Sequence, residues 1–242
     1  MTADRLKTAK YAFTRSLPVM AGYLVLGIGF GILLNSKGYG VLWAFLMSTF
    51  IYAGSMQYVA VDLISAGAGL LTAALMTLMV NARHLFYGIS MLERYRDTGK
   101  RKPYLIFLLT DETYSLVCSG DVPEGVDRNG YFFLVSLFDH CYWITGSVLG
   151  VLIGYVFPFQ TTGIEFAMTS LFIVVFVDQW RSTANHGAAL IGAGASLLCL
   201  LVFGPDGFLI PAMLLITILL LAFRRQLGTA DREGEQEGTI HE

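Results

Sequence analysis

The chain has 242 residues, of which 55% are hydrophobic and only 14% charged, well below the roughly 25% charged content of soluble domains. This composition excludes an ordinary soluble enzyme; the formal charge of −2 says little about partners, and no nucleic-acid partner is expected. Cys118, Cys141 and Cys199 lie in or at the edge of apolar runs without metal spacing or a disulfide framework, so they read as small buried hydrophobes, and neither metal nor cofactor is expected.

In chain order, the polar and basic stretch Met1–Arg15 is no cleavable signal, because the apolar run after it is too long and lacks a small-residue cleavage site. Membrane spans are expected at 17–34, 70–90 and 103–118, with a further apolar stretch at 41–64. An acidic loop, 119–130, carries Asp121, Glu124 and Asp127 against Arg128. Beyond it, spans are expected at 131–156, 188–203 and 207–223, with an apolar stretch at 164–187 and a short, disordered tail at 224–242. The runs are continuous and rich in Leu, Gly and Ala, unlike the short alternating segments of a membrane barrel. The fold class is therefore an all-α polytopic membrane protein with six to eight membrane segments.

Lys and Arg gather at Arg5, Lys7, Lys10 and Arg15, at Arg94, Arg96, Lys100, Arg101 and Lys102, and at Arg224 and Arg225. The positive-inside rule makes all three groups cytoplasmic, and with them both termini, while the acidic loop reads as external. An even number of crossings must then separate Arg15 from Arg94. Three apolar stretches lie between them, so 41–64 is expected to be a re-entrant hairpin of two half-helices broken around Ala53-Gly54-Ser55. The same logic makes 164–187 a second broken hairpin. In the competing reading, 41–64 and 164–180 are ordinary spans.

A faint internal repeat supports the hairpins. With residues 47–60 laid on 169–182, Ser48 meets Ser170, Phe50 meets Phe172, Gln57 meets Gln179 and Tyr58 meets Trp180. With a shift of one, Gly27 and Gly31 fall on Gly150 and Gly154. Residues 1–118 and 131–223 are thus expected to form an inverted repeat, the construction in which transporters place substrate where broken helices meet at the midplane.

Gly54 and Ser55 stand where the first hairpin should unwind, and half-helix ends there suit the carboxylate and ammonium of an amino acid. Gln57 can bond either end of the substrate or a neighbouring helix. Asn81 and His84 share a helical face, with His84 a candidate proton carrier, and Arg83 is either an interface anchor or a carboxylate ligand. Asp111 and Glu112 fall inside an apolar run where ionised carboxylates are costly. Together they are candidate proton or ammonium sites, or one half of a structural ion pair. Asp139 is a further coupling candidate, and Asp178 with Gln179 stands at the second break. Tyr52, Tyr58, Trp43, Trp143 and Trp180 either wall an apolar pocket or pack at the interface.

Leu17-Pro18-Val19-Met20-Ala21-Gly22, Tyr52-Ala53-Gly54-Ser55-Met56-Gln57, Asn81-Ala82-Arg83-His84 and Thr110-Asp111-Glu112-Thr113, in this order and spacing, resemble the AzlC family of branched-chain amino acid exporters. The resemblance covers nearly the whole chain. It implies the large subunit of a two-component permease in a prokaryotic plasma membrane, exporting valine, leucine, isoleucine or analogues with a small AzlD-like membrane subunit. The residues themselves point to a secondary transporter driven by a proton or other ion gradient, since no Gly-rich phosphate loop is present. A channel built on broken helices and a structural subunit of a transport complex are the alternatives. An intramembrane enzyme lacks any nucleophile or metal motif.

Overall fold

The structure is a computed structural model that describes residues 3–118, 122–157, 173, 176–177, 180–181, 186–204, 207–208, 211–212 and 214–223, without the side chains of Ala3, Arg83 and Phe86. All the regular elements among these residues are helical. The chain divides into two compact units, 1–167 and 168–242.

The first unit is built on two long helices, α1 (Ala3–Ser36) and α7 (Arg128–Val156). Both are long and apolar enough to cross a membrane. At about 1.5 Å per residue α1 exceeds the hydrocarbon thickness by several turns, so its basic N-terminal turns belong outside it. The two helices touch backbone to backbone. A Cβ on Gly31 would run into the Ser147 carbonyl, and one on Gly150 into the Ile28 carbonyl. On Gly27 it would lie 2.9 Å from the Ser147 amide nitrogen, and on Gly146 2.9 Å from the Tyr23 carbonyl. Small residues spaced four apart on both helices permit this approach, as membrane helix pairs require.

The contacts along this seam fix its direction. The Asp127 amide donates to Thr8 Oγ1 at 3.0 Å, the Tyr11 and Tyr131 ring centroids are 5.3 Å apart, and Ser16 and Tyr142 hydroxyls meet at 3.2 Å. Farther along, Gly27 meets Ser147 and Asn35 meets Gly154. Residue numbers rise together, so α1 and α7 run the same way. This corrects the expectation that the halves opening with these helices enter from opposite sides: their first helices are parallel.

The acidic loop is displaced accordingly. Lys7 Nζ donates to the Glu124 carbonyl, and Asn129 Nδ2 donates to the Asp97 carbonyl at 3.2 Å. Residues 122–127 therefore share one end of the bundle with the basic N-terminus and the 92–102 loop, and the expectation of an external acidic loop opposite a cytoplasmic N-terminus fails. The physical reason is that carboxylates contribute little to topology, so three acids could not fix a side against neighbouring Lys and Arg.

Between the long helices lie α2 (Val41–Phe50), α3 (Gly54–Ser65), α4 (Leu70–Met91), a 3-10 turn (Arg96–Arg101), α5 (Lys102–Phe107) and α6 (Asp111–Val117). Helices α2 and α3, of 10 and 12 residues, measure about 15 and 18 Å, each short of a full crossing of about 30 Å. They are separated at Ile51–Ala53, where Tyr52 takes φ of 43°, a left-handed conformation that side chains other than Asn or Asp resist. A Cβ on Gly40 would lie 2.8 Å from the Tyr155 hydroxyl at one end of α7, and Ser48 then bonds His140 near its middle. Along α3 the contacts turn back, from Trp143 at Gly54 to Leu26 and Phe30 at Tyr58.

Helix α4, at 22 residues and about 33 Å, ends with Met91 and Tyr95 packed on Ala12, Tyr131 and Phe132. The expected span at 103–118 is not one helix. It breaks at 108–110 between α5 and α6, because Thr110 caps α6 through a bond from the Thr113 amide to its Oγ1 at 3.3 Å, and acids in the first turn favour a helix start there. Contacts run from Arg101 over Phe133, through Tyr104 and Phe107 to His140, then back from Thr113 on Asp139 to Leu116 on Tyr131.

In the second unit, α8 (Gly187–Phe203) and α9 (Leu214–Phe223) are apolar helices. The expected hairpin at 164–187 and the tail at 224–242 lie largely or wholly outside the described residues, so the repeat is not traced beyond α7. Large apolar side chains face outward on every long segment, with Leu70 90% and Leu201 76% exposed, a surface suited to lipid rather than water.

Candidate functional site

The two breaks meet inside the first unit. The Tyr52 ring lies 4.6 Å from His140 and 6.4 Å from Phe107, centroid to centroid, so Ile51–Ala53 and Leu108–Thr110 face one another beside the middle of α7. Around them sit buried polar side chains from five segments: Ser48, Gln57, Thr110, Thr113, Asp139 and His140.

Asp139 is fully buried. Its Oδ2 accepts from Thr113 Oγ1 at 2.8 Å, while Oδ1 has no hydrogen-bond partner among the described residues. Thr113 in turn meets Thr110 Oγ1 at 3.2 Å, Thr110 meets the Tyr23 hydroxyl at 2.6 Å, and Tyr23 donates to Glu112 Oε2 at 2.8 Å. Three hydroxyls thus connect two carboxylates on different helices. The buried Tyr52 hydroxyl makes no close hydrogen bond among the described residues; it interacts more weakly with the Tyr23 and Thr113 hydroxyls and faces Asp139. An unpaired carboxylate oxygen in a dry interior is expensive, which marks Asp139 Oδ1 as an atom suited to a polar guest.

A second polar group clasps the first break to α7. Trp143 Nε1 donates to Gln57 Oε1 at 2.8 Å, and Gln57 Nε2 donates to Ser48 Oγ at 3.4 Å. A Cβ on Gly54 would stand 3.1 Å from the Trp143 ring, so glycine here lets the start of α3 lie against the indole. His140 Nε2 bonds the Ser48 carbonyl at 3.2 Å and Nδ1 meets the Tyr104 hydroxyl at 3.3 Å. That set fits a neutral ring with its hydrogen on Nε2.

Of the residues singled out from the sequence, Gly54, Gln57, Glu112 and Asp139 come together here, with Ser55 buried in the first turn of α3. Asp111 and His84 form a separate pair, Nε2 to Oδ1 at 3.9 Å and each about a quarter exposed. Asn81 and Arg83 lie on α4; Asn81 Oδ1 has no hydrogen-bond partner among the described residues, and the Arg83 side chain is outside them. Asp178 and Gln179 also lie outside. Sequence reasoning missed Tyr23 altogether, although a hydroxyl in an otherwise apolar run was visible. It read Thr110 and Thr113 only as part of a motif, although threonine beside two acids is a helix-start signal.

Comparison with known proteins agrees with a transport fold. The AzlC protein family matches residues 18–157, which spans α1 to the end of α7. A Bacillus subtilis protein named branched-chain amino acid transport protein AzlC is 44% identical over 91% of this chain and 87% of its own length. A Helicobacter pylori membrane protein is 44% identical over 92% of this chain and 97% of its own. The Escherichia coli inner membrane protein YgaZ is 27% identical over 75% and 78%. No solved structure matches. The breaks at Tyr52 and Thr110 and the carboxylates between them all fall inside the matched region, and the chain belongs to the AzlC family of membrane transport proteins.

Proposed function

We propose that this chain is the large subunit of a secondary transporter that exports branched-chain or related neutral amino acids, coupled to protons and working by alternating access with a small AzlD-like membrane subunit. The observation that carries the reading is the meeting of two helix breaks around a buried carboxylate with an orphan oxygen. An amino acid brings an ammonium for Asp139 and the Tyr52 hydroxyl, and a carboxylate for the positive end of α3 at Gly54 and Ser55. The rings of Tyr52, Phe107 and Trp143 offer apolar walls for its side chain. Gln57 orients this region through Trp143. The His84–Asp111 pair, with Asn81 and Arg83 on the same stretch of α4, is assigned to the route from the site.

In this reading α2–α3 and α5–α6 are re-entrant hairpins that enter from opposite faces. Helices α1, α4 and α7 cross fully. The turn of contacts along α2 and α3, and again along α5 and α6, supports this. It makes α1–α3 and α4–α6 the inverted pair, so inversion operates within the first unit. The end that carries Arg5, Lys7, Lys10, Arg94, Arg96, Lys100, Arg101 and Lys102 is cytoplasmic, and Arg224 and Arg225 draw the C-terminus to the same side. Asp178 and Gln179 are assigned to the substrate site of the second half by their place in the repeat.

Valine and leucine efflux from proteoliposomes tests the assignment, with and without an AzlD-like subunit and with an imposed proton gradient. Saturable efflux that requires the small subunit, follows the gradient and shows counterflow is the expected result. Unsaturable flux would make the protein a channel. No movement of either amino acid with the partner present would remove the substrate assignment.

A further inference from the structure

The hydroxyl chain through the site has a hydrogen count that constrains what it does. Four oxygen–oxygen contacts run in series: Glu112 to Tyr23 at 2.8 Å, Tyr23 to Thr110 at 2.6 Å, Thr110 to Thr113 at 3.2 Å and Thr113 to Asp139 at 2.8 Å. Only three hydroxyl hydrogens are available to fill them. With both carboxylates ionised, one contact must press two oxygens together with no hydrogen between, and a second negative charge at half-buried Glu112 stands beside the fully buried charge of Asp139, which the interior tolerates poorly. A single added proton removes both defects. It gives four hydrogens for four contacts and leaves one charge on the pair.

We propose that Glu112 and Asp139 are the two ends of a proton wire that holds one exchangeable proton, passed between them by the hydroxyls of Thr113, Thr110 and Tyr23. Filled from one end, Asp139 donates to Thr113, Thr113 to Thr110, Thr110 to Tyr23 and Tyr23 to the ionised Glu112. When every hydrogen moves one oxygen along, the O–H bond at Asp139 breaks and one forms at Glu112. Each hydroxyl ends with the one hydrogen it began with. The atoms balance, no electrons are exchanged, and nothing outside the chain takes part.

In the resting geometry Thr110 is the donor to Thr113, the direction of transfer from Glu112 to Asp139, and transfer the other way turns both threonine hydroxyls. Thr110 Oγ1 also accepts the Thr113 amide, and a hydroxyl oxygen has room for that bond, one further acceptance and its own donation. The two ends differ in their surroundings. Asp139 is fully enclosed, whereas half-buried Glu112 begins α6 beside Asp111, which pairs with His84. The other titratable groups near Asp139 are Tyr23 from α1, Tyr52 from the first break, Tyr104 from α5 by way of His140, and Tyr131, His140 and Tyr142 on α7 itself. Among the described residues α2 and α3 bring only Ser48 and Gln57 to this cluster. The wire thus joins the orphan oxygen offered to an ammonium group to a carboxylate on the hairpin that faces the opposite side of the membrane. A proton and a substrate ammonium would compete for the same charge at Asp139. This last step rests on the transport reading above; the wire itself does not.

The test is infrared difference spectroscopy of the full-length protein in lipid across a pH titration, in light and heavy water, with gradient-driven valine efflux and valine counterflow measured on the same samples. Wild type is expected to show a protonated, hydrogen-bonded carboxyl band that titrates as one coupled transition. Thr113→Val, which keeps volume and removes the hydroxyl, should split that transition into two independent ones, and Thr113→Ser should restore it. Tyr23→Phe cuts the wire at its other end and repeats the test if Thr113→Val fails to fold. Gradient-driven efflux should fall by about tenfold or more, as for loss of a positioned proton-transfer group, and by more than counterflow does. The wire is wrong if wild type has no such band, or if both Thr113→Val and Tyr23→Phe leave the band and its titration unchanged. If the band splits as expected but valine never moves, the wire stands and the substrate assignment falls.

Discussion

The two helix breaks at the centre of the first unit solve the same problem by different means. The break at 108–110 is held locally: Thr110 accepts the Thr113 amide, and Asp111 and Glu112 occupy the first turn that follows, where the helix dipole favours acids. The break at Ile51–Ala53 has no side-chain cap, since Ala53 stands at the N-cap of α3 and Tyr52 adopts a strained positive φ. It is held from outside, by the Trp143 indole against Gly54, the Trp143–Gln57–Ser48 bonds and the His140 bond to the Ser48 carbonyl. One break is written into its own residues, and the other depends on α7. Strain kept in place by surrounding structure is what a moving site needs, so the first break is the better candidate for a gate and the second for a fixed post.

The comparison is broken most severely at Trp143. Trp143→Ala should cost about 3–5 kcal/mol, as for other aromatic truncations, and should loosen α2 and α3 while α6 keeps its protection in hydrogen exchange. Trp143→Phe separates the two contributions of that side chain: it keeps most of the ring and strands the Gln57 carbonyl, at about 1–3 kcal/mol. Equal loss of protection in both breaks would mean that α5–α6 also leans on α7, and the contrast would be wrong.

Thr110→Val acts on the other break and should cost about 0.5–2 kcal/mol through the lost cap. Thr110→Ser should recover most of it. Here protection should fall in α6 and stay unchanged in α3, the mirror of the Trp143 result.

The same contrast explains how much could be read beforehand. The all-helical membrane fold and an interruption within 41–64 were legible from continuous apolar runs and a Gly-Ser step, although the break itself falls at Ile51–Ala53, just before that step, and the glycines of α1 and α7 read as a repeat rather than as the contact they make. The break at Thr110 carried a signature too, Thr-Asp-Glu ahead of an apolar run, but the expectation of a continuous span at 103–118 hid it. Direction was not legible. That α1 and α7 are parallel depends on long-range contacts such as Thr8 to Asp127 and Asn35 to Gly154, and acidic residues in a short loop exert too little force on topology to reveal it. Nor was the bond of Tyr23 to Glu112, which joins residues 89 apart.

The smallest expected change in stability sharpens the comparison most. Tyr52→Phe removes only a hydroxyl that makes no close hydrogen bond among the described residues and interacts weakly with Tyr23 and Thr113, and it leaves the ring against His140 and Phe107. Loss of an unsatisfied buried group costs nothing and can stabilise, so the thermal midpoint should stay level or rise slightly. If the hydroxyl serves only the fold, valine efflux should be unchanged as well. If it meets the substrate ammonium beside Asp139, the half-saturation concentration should rise by about tenfold, the worth of one hydrogen bond to a charged group at roughly 1.5 kcal/mol. A hydroxyl that contributes nothing to stability at the centre of the bundle has its function as the remaining reason to be there. Transport measured beside stability in this one variant separates the gate from the post.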